Sequence, residues 1–534
     1  MGTGGAPRVA IAGGGPAGLF LARMIGLKLP RATVEVYERN GPGDVSGFGV
    51  TLSDRTLSGL ARHDPETHRL IIDASVTLSG IEVRPPGARL RYDGFGAAAI
   101  SRHTLLKILR EQATEAGARI HYRARAEDLD ADVVAFADGA RSSHRDARRE
   151  AFGTETRTGA ARYVWLGTSA DFGDAATLAF ERTEHGPVAA HCYSYGRSPG
   201  RSSGSAMSTV VVELDETTWR AAGLDDGAEI DGDAPPWLSE VFAEHLDGHK
   251  LVGNHSRWGR FTVVRNASWS DGNTVLLGDA AHTAHFTVSS GTKMALEDAI
   301  ALGRALSEHD GHPAAAFAEY ERLRRGPVAR TQHWAEPSMH WWETYGRRLH
   351  QPPSQFGMHF LTRTRAISYL GLRRRCADRI DEAEADYFRA AGFTGTPPHA
   401  IAAPFTVDGV RLTDRLVTAV PQADGEVLID DAIRFAELSC VDIPENGPAA
   451  DELLRQALAR GLPGVLLRAD PLTHWHTTLR LASRVRTETG LAVAVEVPAD
   501  WALDLTREAD TDPWPARIHL ALLTGRTDLV VPTR

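Results

Sequence analysis

The 534-residue sequence predicts an α/β protein in which a mainly antiparallel sheet interrupts a parallel one. Three observations predict this class. A short apolar run, Arg8–Ala12, leads through glycines straight into an apolar helix. Residues 156–265 hold strand patterns separated by turns, and a buried-strand pattern returns at 273–277. Alternating helix and strand patterns after residue 400 add a small C-terminal α/β domain.

The glycines after the first strand have the spacing of the dinucleotide-binding fingerprint. Gly13 permits the tight turn, Gly15 lets the backbone approach a pyrophosphate, and Gly18 lets the helix pack close to the strand. The preceding strand and the following helix are the context that this fingerprint needs. The sequence therefore predicts a Rossmann-like nucleotide-binding domain.

Residues on either side of this turn complete the predicted site. Pro16 and Ala17 open the helix, whose free N–H groups favour a phosphate. Glu38 ends the second predicted strand, at the distance where a carboxylate binds ribose. The adjacent Arg39 is a further candidate contact.

Composition excludes several classes of function. The formal charge of −10 argues against a dedicated nucleic-acid or anionic-membrane binder. The three cysteines lie far apart in no metal-like spacing, which predicts no metal site and fits a reducing compartment. No apolar run is long enough to cross a membrane, and the first strand begins almost at Met1, which leaves no room for a signal peptide. We expect a cytoplasmic protein.

The patterns divide the chain into four parts. A Gly/Pro-rich stretch at 391–399 predicts a boundary near residue 398, and helices are expected at Ile100–Leu109, Gly291–Leu306 and Pro313–Trp334. The predicted parts are nucleotide-binding pieces at 1–75, 97–155 and 266–334, a substrate-binding β-sheet domain at 76–96 and 156–265, a helical region and linker at 335–398, and the C-terminal α/β domain at 399–534.

Two further motifs follow the glycine turn in a fixed order. Asp138-Gly139 follows a buried strand, and Gly278-Asp279 follows another and precedes a helix. Together the three motifs resemble the single-component flavin-dependent aromatic hydroxylases, typified by para-hydroxybenzoate hydroxylase. The resemblance implies FAD as cofactor, with Asp279 on the ribityl chain and Arg102 on the phosphates or ribityl. It places Asp138 near the flavin and nicotinamide routes.

There is also a physical reason to expect the N-terminus of the helix after the Gly-Asp pair beside the flavin. Reduced flavin is an anion, and a helix N-terminus aimed at it supplies N–H donors and positive dipole. Gly291, Thr292 and Lys293 open that helix. Lys293 stands where many relatives carry Asn, so it either stabilises the anionic flavin or is a solvated helix residue.

Several segments resemble a narrower branch of this family, the salicylyl-CoA 5-hydroxylases and the monooxygenase half of 2-aminobenzoyl-CoA monooxygenase/reductase. The segments are 47–54, 163–168, 184–195, 280–293 and 359–364. The branch implies that NAD(P)H reduces FAD, O2 adds to give a flavin hydroperoxide, and oxygen transfers to the ring of an aryl-CoA thioester. A free aromatic acid, an indole or a carrier-protein-bound aryl group stay open as substrates.

No protein nucleophile motif is visible, which fits chemistry carried by a cofactor. A base near a phenolic or anilinic ring would raise its electron density. The candidates are His191, Tyr195, His282 and His285, with His285 first because it lies in the flavin loop; each could instead be a structural polar group.

The substrate-binding candidates are of two kinds. Phe48, Gly49, Trp165 and Phe286 could wall the ring, although an aromatic residue in a strand can be core alone. A CoA moiety needs cations for its phosphates, and Arg363 belongs to an arginine cluster that a solvated helix face also explains. The other members of the cluster are Arg347, Arg348, Arg365 and Arg373–Arg375.

The C-terminal part resembles an old yellow enzyme barrel at 403–417 and at Gly525–Val530. Only about 135 residues follow the linker, whereas a (β/α)8 barrel needs roughly 200 or more. We expect a truncated barrel remnant without an FMN site, which is non-catalytic and packs on the hydroxylase or forms a homodimer contact. A halogenase, or a flavoprotein that binds a ligand without oxidising it, is the alternative from another class.

Overall fold

A computed structural model describes residues 6–126, 129–197, 206–225, 227–364, 366–393, 399–503 and 512–533. The chain forms two compact units, Met1–Thr344 and Tyr345–Arg534. Among the described residues, none of the helices combines the length and apolar character needed to cross a bilayer.

The elements of the first unit alternate between two sheets. Its strands are β1 (Arg8–Ala12), β2 (Thr33–Glu38), β3 (Gly49–Ser53), β4 (Val76–Arg84), β5 (Leu90–Ser101), β6 (Arg119–Tyr122), β7 (Val133–Phe136), β8 (Thr154–Thr168), β9 (Ala175–Thr183), β10 (Gly186–Arg197), β11 (Ala206–Leu214), β12 (Glu229–Asp233), β13 (Leu251–Arg257), β14 (Gly259–Asn266), β15 (Ser270–Asp271) and β16 (Thr274–Leu276). Its helices are α1 (Pro16–Lys28), α2 (Asp54–His63), α3 (Pro65–Asp73), α4 (Arg102–Glu115), α5 (Ser143–Ala147), α6 (Arg149–Phe152), α7 (Glu216–Ala221), α8 (Pro236–Val241), α9 (Ala243–Leu246), α10 (Gly291–Glu308) and α11 (Pro313–Thr344).

The first sheet has the order β15-β16-β7-β1-β2-β6, and its pairs from β16 to β6 are parallel. Strand β1 is buried after Arg8, and α1 and α10 contribute to the same apolar core. The carboxyl ends of parallel strands meet at one edge. The three motifs follow β1, β7 and β16 and therefore lie together at that edge.

The second sheet has the order β12-β13-β8-β11-β10-β9-β4-β5-β3, with β14 also paired to β8. It is mainly antiparallel, and only its β4–β9 pair is parallel among the described strands. Val164, Cys192 and Val212 point into an apolar core on one face. Because side chains alternate along a strand, the residues directly before and after each of these three point to the opposite face.

Two expected helix boundaries are corrected. Ile100 and Ser101 end β5, so the helix predicted from Ile100 begins at Arg102, with Ser101 capping it by accepting from Thr104 N. Helix α11 continues past the expected end at Trp334 to Thr344, and it contains two internal prolines, Pro327 and Pro337. Its last turns bury Met339 and Trp342, and this burial offsets the cost of the prolines.

The second unit combines a further six-stranded sheet with helices, in agreement with the α/β fold class that the sequence predicts. The sheet has the order β19 (Ala419–Pro421), β20 (Glu426–Ile429), β21 (Ile433–Ser439), β22 (Gly464–Arg468), β23 (Ala492–Val497) and β24 (Leu529–Pro532). Strands β21 to β24 are parallel. The expected boundary near residue 398 lies outside the described residues, and the likeness to a barrel remnant stays a prediction. The other elements are α12 (Pro353–Leu361), α13 (Tyr369–Ala390), β17 (Phe405–Val407), β18 (Val410–Leu412), α14 (Pro448–Ala459), α15 (Pro471–Thr489) and α16 (Trp514–Leu523).

Candidate active site

The glycine turn after β1 has the geometry that its spacing predicts. Gly13 has φ +111°, and a Cβ there would lie 2.4 Å from the carbonyl oxygen of Ala137. A Cβ at Gly18 would lie 2.0 Å from the carbonyl oxygen of Gly13. At Gly15 a Cβ would meet no atom within 4 Å, so the backbone is open there to a ligand.

The start of α1 suits an anion. Gly15 caps the helix without a side-chain acceptor, Pro16 occupies the first turn beside the buried Ala17, and no acidic residue lies there. The Glu38 carboxylate is fixed beside the turn, since Oε2 accepts from Gly14 N at 2.8 Å and Oε1 accepts from a backbone N–H two residues on. Arg39 is exposed.

Asp138 lies at the same edge, after β7. Its Oδ2 is 2.8 Å from Nδ1 of His144, whose ring stacks on Phe136. Burial opposes the charge, but His144 and Ser142 outweigh it and lower the pKa of Asp138. Its Oδ1 is buried with no hydrogen-bond partner among the described residues. That atom fits a ligand that donates a hydrogen bond.

Asp279 and Arg102 face each other across this edge. Burial raises the pKa of Asp279, while His282 and Arg102 act against that rise. The Asp279 side chain is nevertheless accessible to water, as expected of a residue in the wall of a cleft. Arg102 is held by its own N–H, which donates to the Phe48 carbonyl at 2.7 Å.

The Asp298 carboxylate holds the Gly278 turn through a hydrogen bond. Its buried carboxylate accepts from Gly278 N at 3.0 Å and from Arg324 Nε at 2.7 Å, and Nε2 of His282 lies 2.8 Å away. Burial opposes the charge, but His282 and Arg324 outweigh it and lower the pKa of Asp298 to about 2. His282 therefore lies in a buried polar cluster with Asp298 and Arg324.

Helix α10 begins with uncapped N–H groups. Ser290 at its N-terminus does not cap it, and the Ser290 hydroxyl is buried without a partner in the described chain. A Cβ at Gly291 would meet open space, and Thr292 is half-buried. Nζ of Lys293 lies 3.0 Å from Glu297 Oε1, which favours an ion-paired helix residue.

An aromatic face lies on the second sheet. Strand register pairs Glu213 with Tyr163, and Val211 with both Trp165 and His191, so these side chains share one face. Nε1 of Trp165 is buried with no partner among the residues described.

Phe286 covers this face. Its ring lies 5.0 Å from that of Tyr163, 6.4 Å from that of Trp165 and 5.8 Å from that of His191. Because Phe286 belongs to the loop that leads to α10, this loop joins the aromatic face to the α10 N-terminus.

The segment around Phe48 lies across the same face. A Cβ at Gly167 would lie 2.2 Å from the Phe48 ring, and a Cβ at Gly49 would lie 2.4 Å from the Tyr195 ring. Gly49 N also donates to Thr209 Oγ1 at 2.8 Å. These close approaches leave little room for a side chain at either glycine and place Phe48 against β8.

Comparison with known proteins decides the family. The model of the FAD binding domain matches residues 90–332. The chain is 39% identical to salicyloyl-CoA 5-hydroxylase from Streptomyces sp over 77% of its length and 79% of the relative. It belongs to the FAD-dependent aromatic monooxygenases. FAD is thus the cofactor, and the open Gly15 backbone, the uncapped α1 and α10, Asp138 Oδ1 and the Ser290 hydroxyl are chemically suited to it.

Two more proteins that are similar to this monooxygenase are informative. It is 37% identical to 3-hydroxy-4-methyl-anthranilyl-[aryl-carrier protein] 5-monooxygenase from Streptosporangium sibiricum, over 62% of the chain and 88% of the relative. It shares a fold with 2-methyl-3-hydroxypyridine-5-carboxylic acid oxygenase, at a TM-score of 0.51 and 18% identity over 70% of this chain and 98% of that chain.

His191 and His285 both lie near Glu213, a residue that the sequence analysis did not predict as part of the site. Glu213 is 1% exposed, and its carboxylate oxygens lie 3.1 Å from His191 Nε2 and 3.8 Å from His285 Nε2. The sequence did carry a signal for this residue, since Glu213 follows the apolar run of β11. A charged side chain in such a strand needs polar partners.

The remaining candidates lie apart from this pair. Tyr195 packs in a small apolar cluster with Leu78, and burial raises its pKa to about 12. Arg363 belongs to the second unit, where its guanidinium lies 4.1 Å from the centre of the Phe360 ring.

The other arginines of the predicted cluster also lie in the second unit, apart from Arg365, which lies outside the described residues. Arg347, Arg348 and Arg373 pair with carboxylates, and Arg374 and Arg375 are exposed.

Proposed function

We propose that this monooxygenase hydroxylates the aromatic ring of an aryl-CoA thioester resembling salicylyl-CoA, with NAD(P)H as reductant and O2 as oxidant. The observation that carries the proposal is the 39% identity to salicyloyl-CoA 5-hydroxylase, which covers 77% of this chain. The aromatic face supports it, because the buried Trp165 N–H has no hydrogen-bond partner among the described residues and a flat ring with an acceptor fits there.

The chain's residues have separate roles in this proposal. Bound FAD would supply the transfer of electrons from NAD(P)H and the activation of O2. The α10 N-terminus favours negative charge on the flavin, and Phe48, Gly49, Trp165 and Phe286 hold the ring and exclude water. The residues that would hold FAD are Gly13, Gly15, Pro16, Ala17, Gly18, Glu38, Arg39, Arg102, Asp138, Gly278, Asp279, Gly291, Thr292 and Lys293.

An aryl group on a carrier protein is the second candidate substrate, favoured by the 37% identity to the carrier-protein-dependent relative. One screen separates the two candidates. NAD(P)H oxidation and product masses are measured with salicylyl-CoA, the same acyl group on a carrier protein, 2-aminobenzoyl-CoA and the free acids. We expect a gain of one oxygen atom on the CoA thioester, and a gain on the free acids alone would overturn the thioester proposal.

A further inference from the structure

We propose that the second unit binds a phosphate group beside Arg348 and Arg480, where the short helical turn Tyr345–Arg348 and helix α15 meet the loop after β21. Every residue that carries this proposal belongs to the second unit. None of them has a role in the proposed hydroxylation, so the proposal goes beyond that function and does not depend on it.

Arg348 and Arg480 share one buried carboxylate. Nη2 of Arg348 lies 3.6 Å from Glu445 Oε1, and Nε of Arg480 lies 3.6 Å from Glu445 Oε2. Both distances are longer than a hydrogen bond, so these are contacts between charges. Arg348 is 3% exposed and Glu445 is 5% exposed. One carboxylate neutralises only one of the two guanidinium groups, and a positive charge left over in a buried place is costly.

The neighbouring carboxylates are already engaged by other arginines. Arg484 of α15 donates to Asp451 Oδ1 at 2.6 Å and to Glu488 Oε1 at 2.8 Å. Glu488 Oε1 also lies 2.5 Å from Nη1 of Arg347. Arg484 donates in addition to the backbone carbonyl of Glu445 at 2.8 Å, which holds that loop against the helix. The acids of this region therefore leave the positive charge around Glu445 in excess.

A third guanidinium, that of Arg526, is subject to the same excess. Its Nη2 donates to the carbonyl oxygens of His359 at 3.3 Å and Thr362 at 3.2 Å, which are neutral acceptors. Burial and Arg348 lower the pKa of Arg526 to about 9, and Glu445 acts against that fall. Burial, Arg526 and Arg348 also lower the pKa of His359 well below its ordinary value. The electrostatics of this region thus favour a further anion.

Polar side chains next to the two arginines have hydrogen-bonding capacity to spare. Gln351 follows Arg348 in a turn, where its N–H donates to the Arg348 carbonyl at 2.9 Å, and it is 6% exposed. Both amide atoms of its side chain are buried with no hydrogen-bond partner among the described residues, as are Arg480 Nε and the hydroxyl of Ser483, one turn along α15. Buried polar atoms are nearly always hydrogen-bonded, so this group of atoms indicates a ligand.

A phosphate group has the chemistry that this set of side chains requires. It carries a charge of about −1.5 to −2 at pH 7 and presents several acceptor oxygens. Guanidinium groups bind such oxygens in pairs, and the amide and hydroxyl donors can take the others. A carboxylate would bring only one charge, and a cation would add to the excess. The phosphate can be inorganic phosphate or part of a nucleotide, since both present the same group.

The test is a calorimetric titration of the FAD-loaded, full-length protein with inorganic phosphate, at constant ionic strength in chloride. Loading with FAD keeps phosphate out of the flavin site. We expect saturable binding by the wild type and a Kd at least about ten-fold weaker in Arg480→Gln. The control Arg434→Gln removes an exposed arginine of the same unit, whose pair with Glu426 also spans 3.6 Å, and should leave the Kd unchanged.

A second variant changes the Kd in the opposite direction and so covers loss of folding in Arg480→Gln. Glu445→Gln removes the competing anion, and we expect phosphate to bind about three-fold more tightly or better. The unfolding temperature of Glu445→Gln should also rise more with added phosphate than that of the wild type, because the ligand stabilises only the folded state.

Titration with 3′,5′-ADP separates the two sources of phosphate. Tighter binding of 3′,5′-ADP than of inorganic phosphate, weakened in Arg480→Gln, would assign the site to a nucleotide, and equal or weaker binding would assign it to free phosphate. No saturable binding of inorganic phosphate by the wild type, or the same Kd in wild type, Arg480→Gln and Glu445→Gln, would overturn the site. Either result leaves the proposed hydroxylation standing.

Discussion

The two sheets of the first unit recognise their proposed ligands with different parts of the chain. At the edge of the parallel sheet, the backbone dominates: Gly13, Gly15 and Gly18 shape the turn, and two helices present uncapped N–H groups. On the large sheet, side chains dominate, and they come from β8, β10, β11 and a distant loop. A backbone site depends on short spacings, whereas a side-chain site depends on strand register.

The largest effect on flavin content should come from a methyl group in the backbone site. Gly13→Ala places a Cβ 2.4 Å from a carbonyl oxygen at φ +111°, which the turn cannot accommodate. We expect flavin absorbance per polypeptide to fall by at least about ten-fold, which needs only about 1.4 kcal/mol. Gly59→Ala, where a Cβ meets open space, should retain full absorbance. Equal flavin content in the two variants would contradict the backbone account.

The second prediction concerns the stability that the buried Asp298 carboxylate contributes by accepting from Gly278 N. Asp298→Asn leaves Arg324 and His282 without their anion and should lower the free energy of unfolding at neutral pH by about 3–5 kcal/mol. Asp73→Asn, which removes an exposed helical ion pair, should cost about 0.5 kcal/mol or less. Urea denaturation measures both values.

The pH dependence of the Asp298 contribution follows from its lowered pKa. Because the folded pKa is about 2 and the ordinary value is 3.8, the stabilisation is complete above pH 3.8 and is lost as pH falls toward 2. The stability difference between wild type and Asp298→Asn should shrink over that interval. A difference that stays constant would show that Asp298 does not titrate there.

Asp279 is the proposed side-chain contact of the flavin. Asp279→Asn keeps the shape and removes the charge, so we expect FAD retention to weaken by about ten-fold or more, in line with roughly 1.5–3 kcal/mol for a charge-assisted hydrogen bond. Equilibrium dialysis of FAD measures the loss. Asp271→Asn, an exposed aspartate on the neighbouring strand, serves as the control, and equal retention in both variants would remove Asp279 from the site.

The smallest effect should come from the aromatic face. Gly167→Ala places a Cβ 2.2 Å from the Phe48 ring, which can shift because it is the end of a side chain. We expect KM for the aromatic substrate to rise about three- to ten-fold, equivalent to roughly 0.6–1.4 kcal/mol, with flavin content unchanged. Gly259→Ala makes only ordinary contact, at 3.6 Å, and should change neither quantity. A loss of flavin in Gly167→Ala would show that the two sites are not separable.

The contrast between short spacings along the chain and strand register also explains which features the sequence could predict. Strands β1 and β2 have the predicted bounds, and the glycine turn has the predicted conformation, because each depends on neighbours in sequence. The end of β5 was misjudged because a sheet partner, Gly49–Ser53, extends that strand into the expected helix. Glu213 escaped notice because only strand pairing brings it beside His191. The roles of the individual site residues stay predictions.

One measurement tests the central claim, that the aromatic face receives an aryl thioester and the flavin site delivers oxygen to it. The FAD-loaded protein is incubated with NAD(P)H, salicylyl-CoA and isotopically heavy O2, and the product is analysed by mass spectrometry. We predict a thioester product whose acyl ring carries one heavy oxygen atom. NAD(P)H oxidation that yields hydrogen peroxide with unchanged salicylyl-CoA would contradict the account.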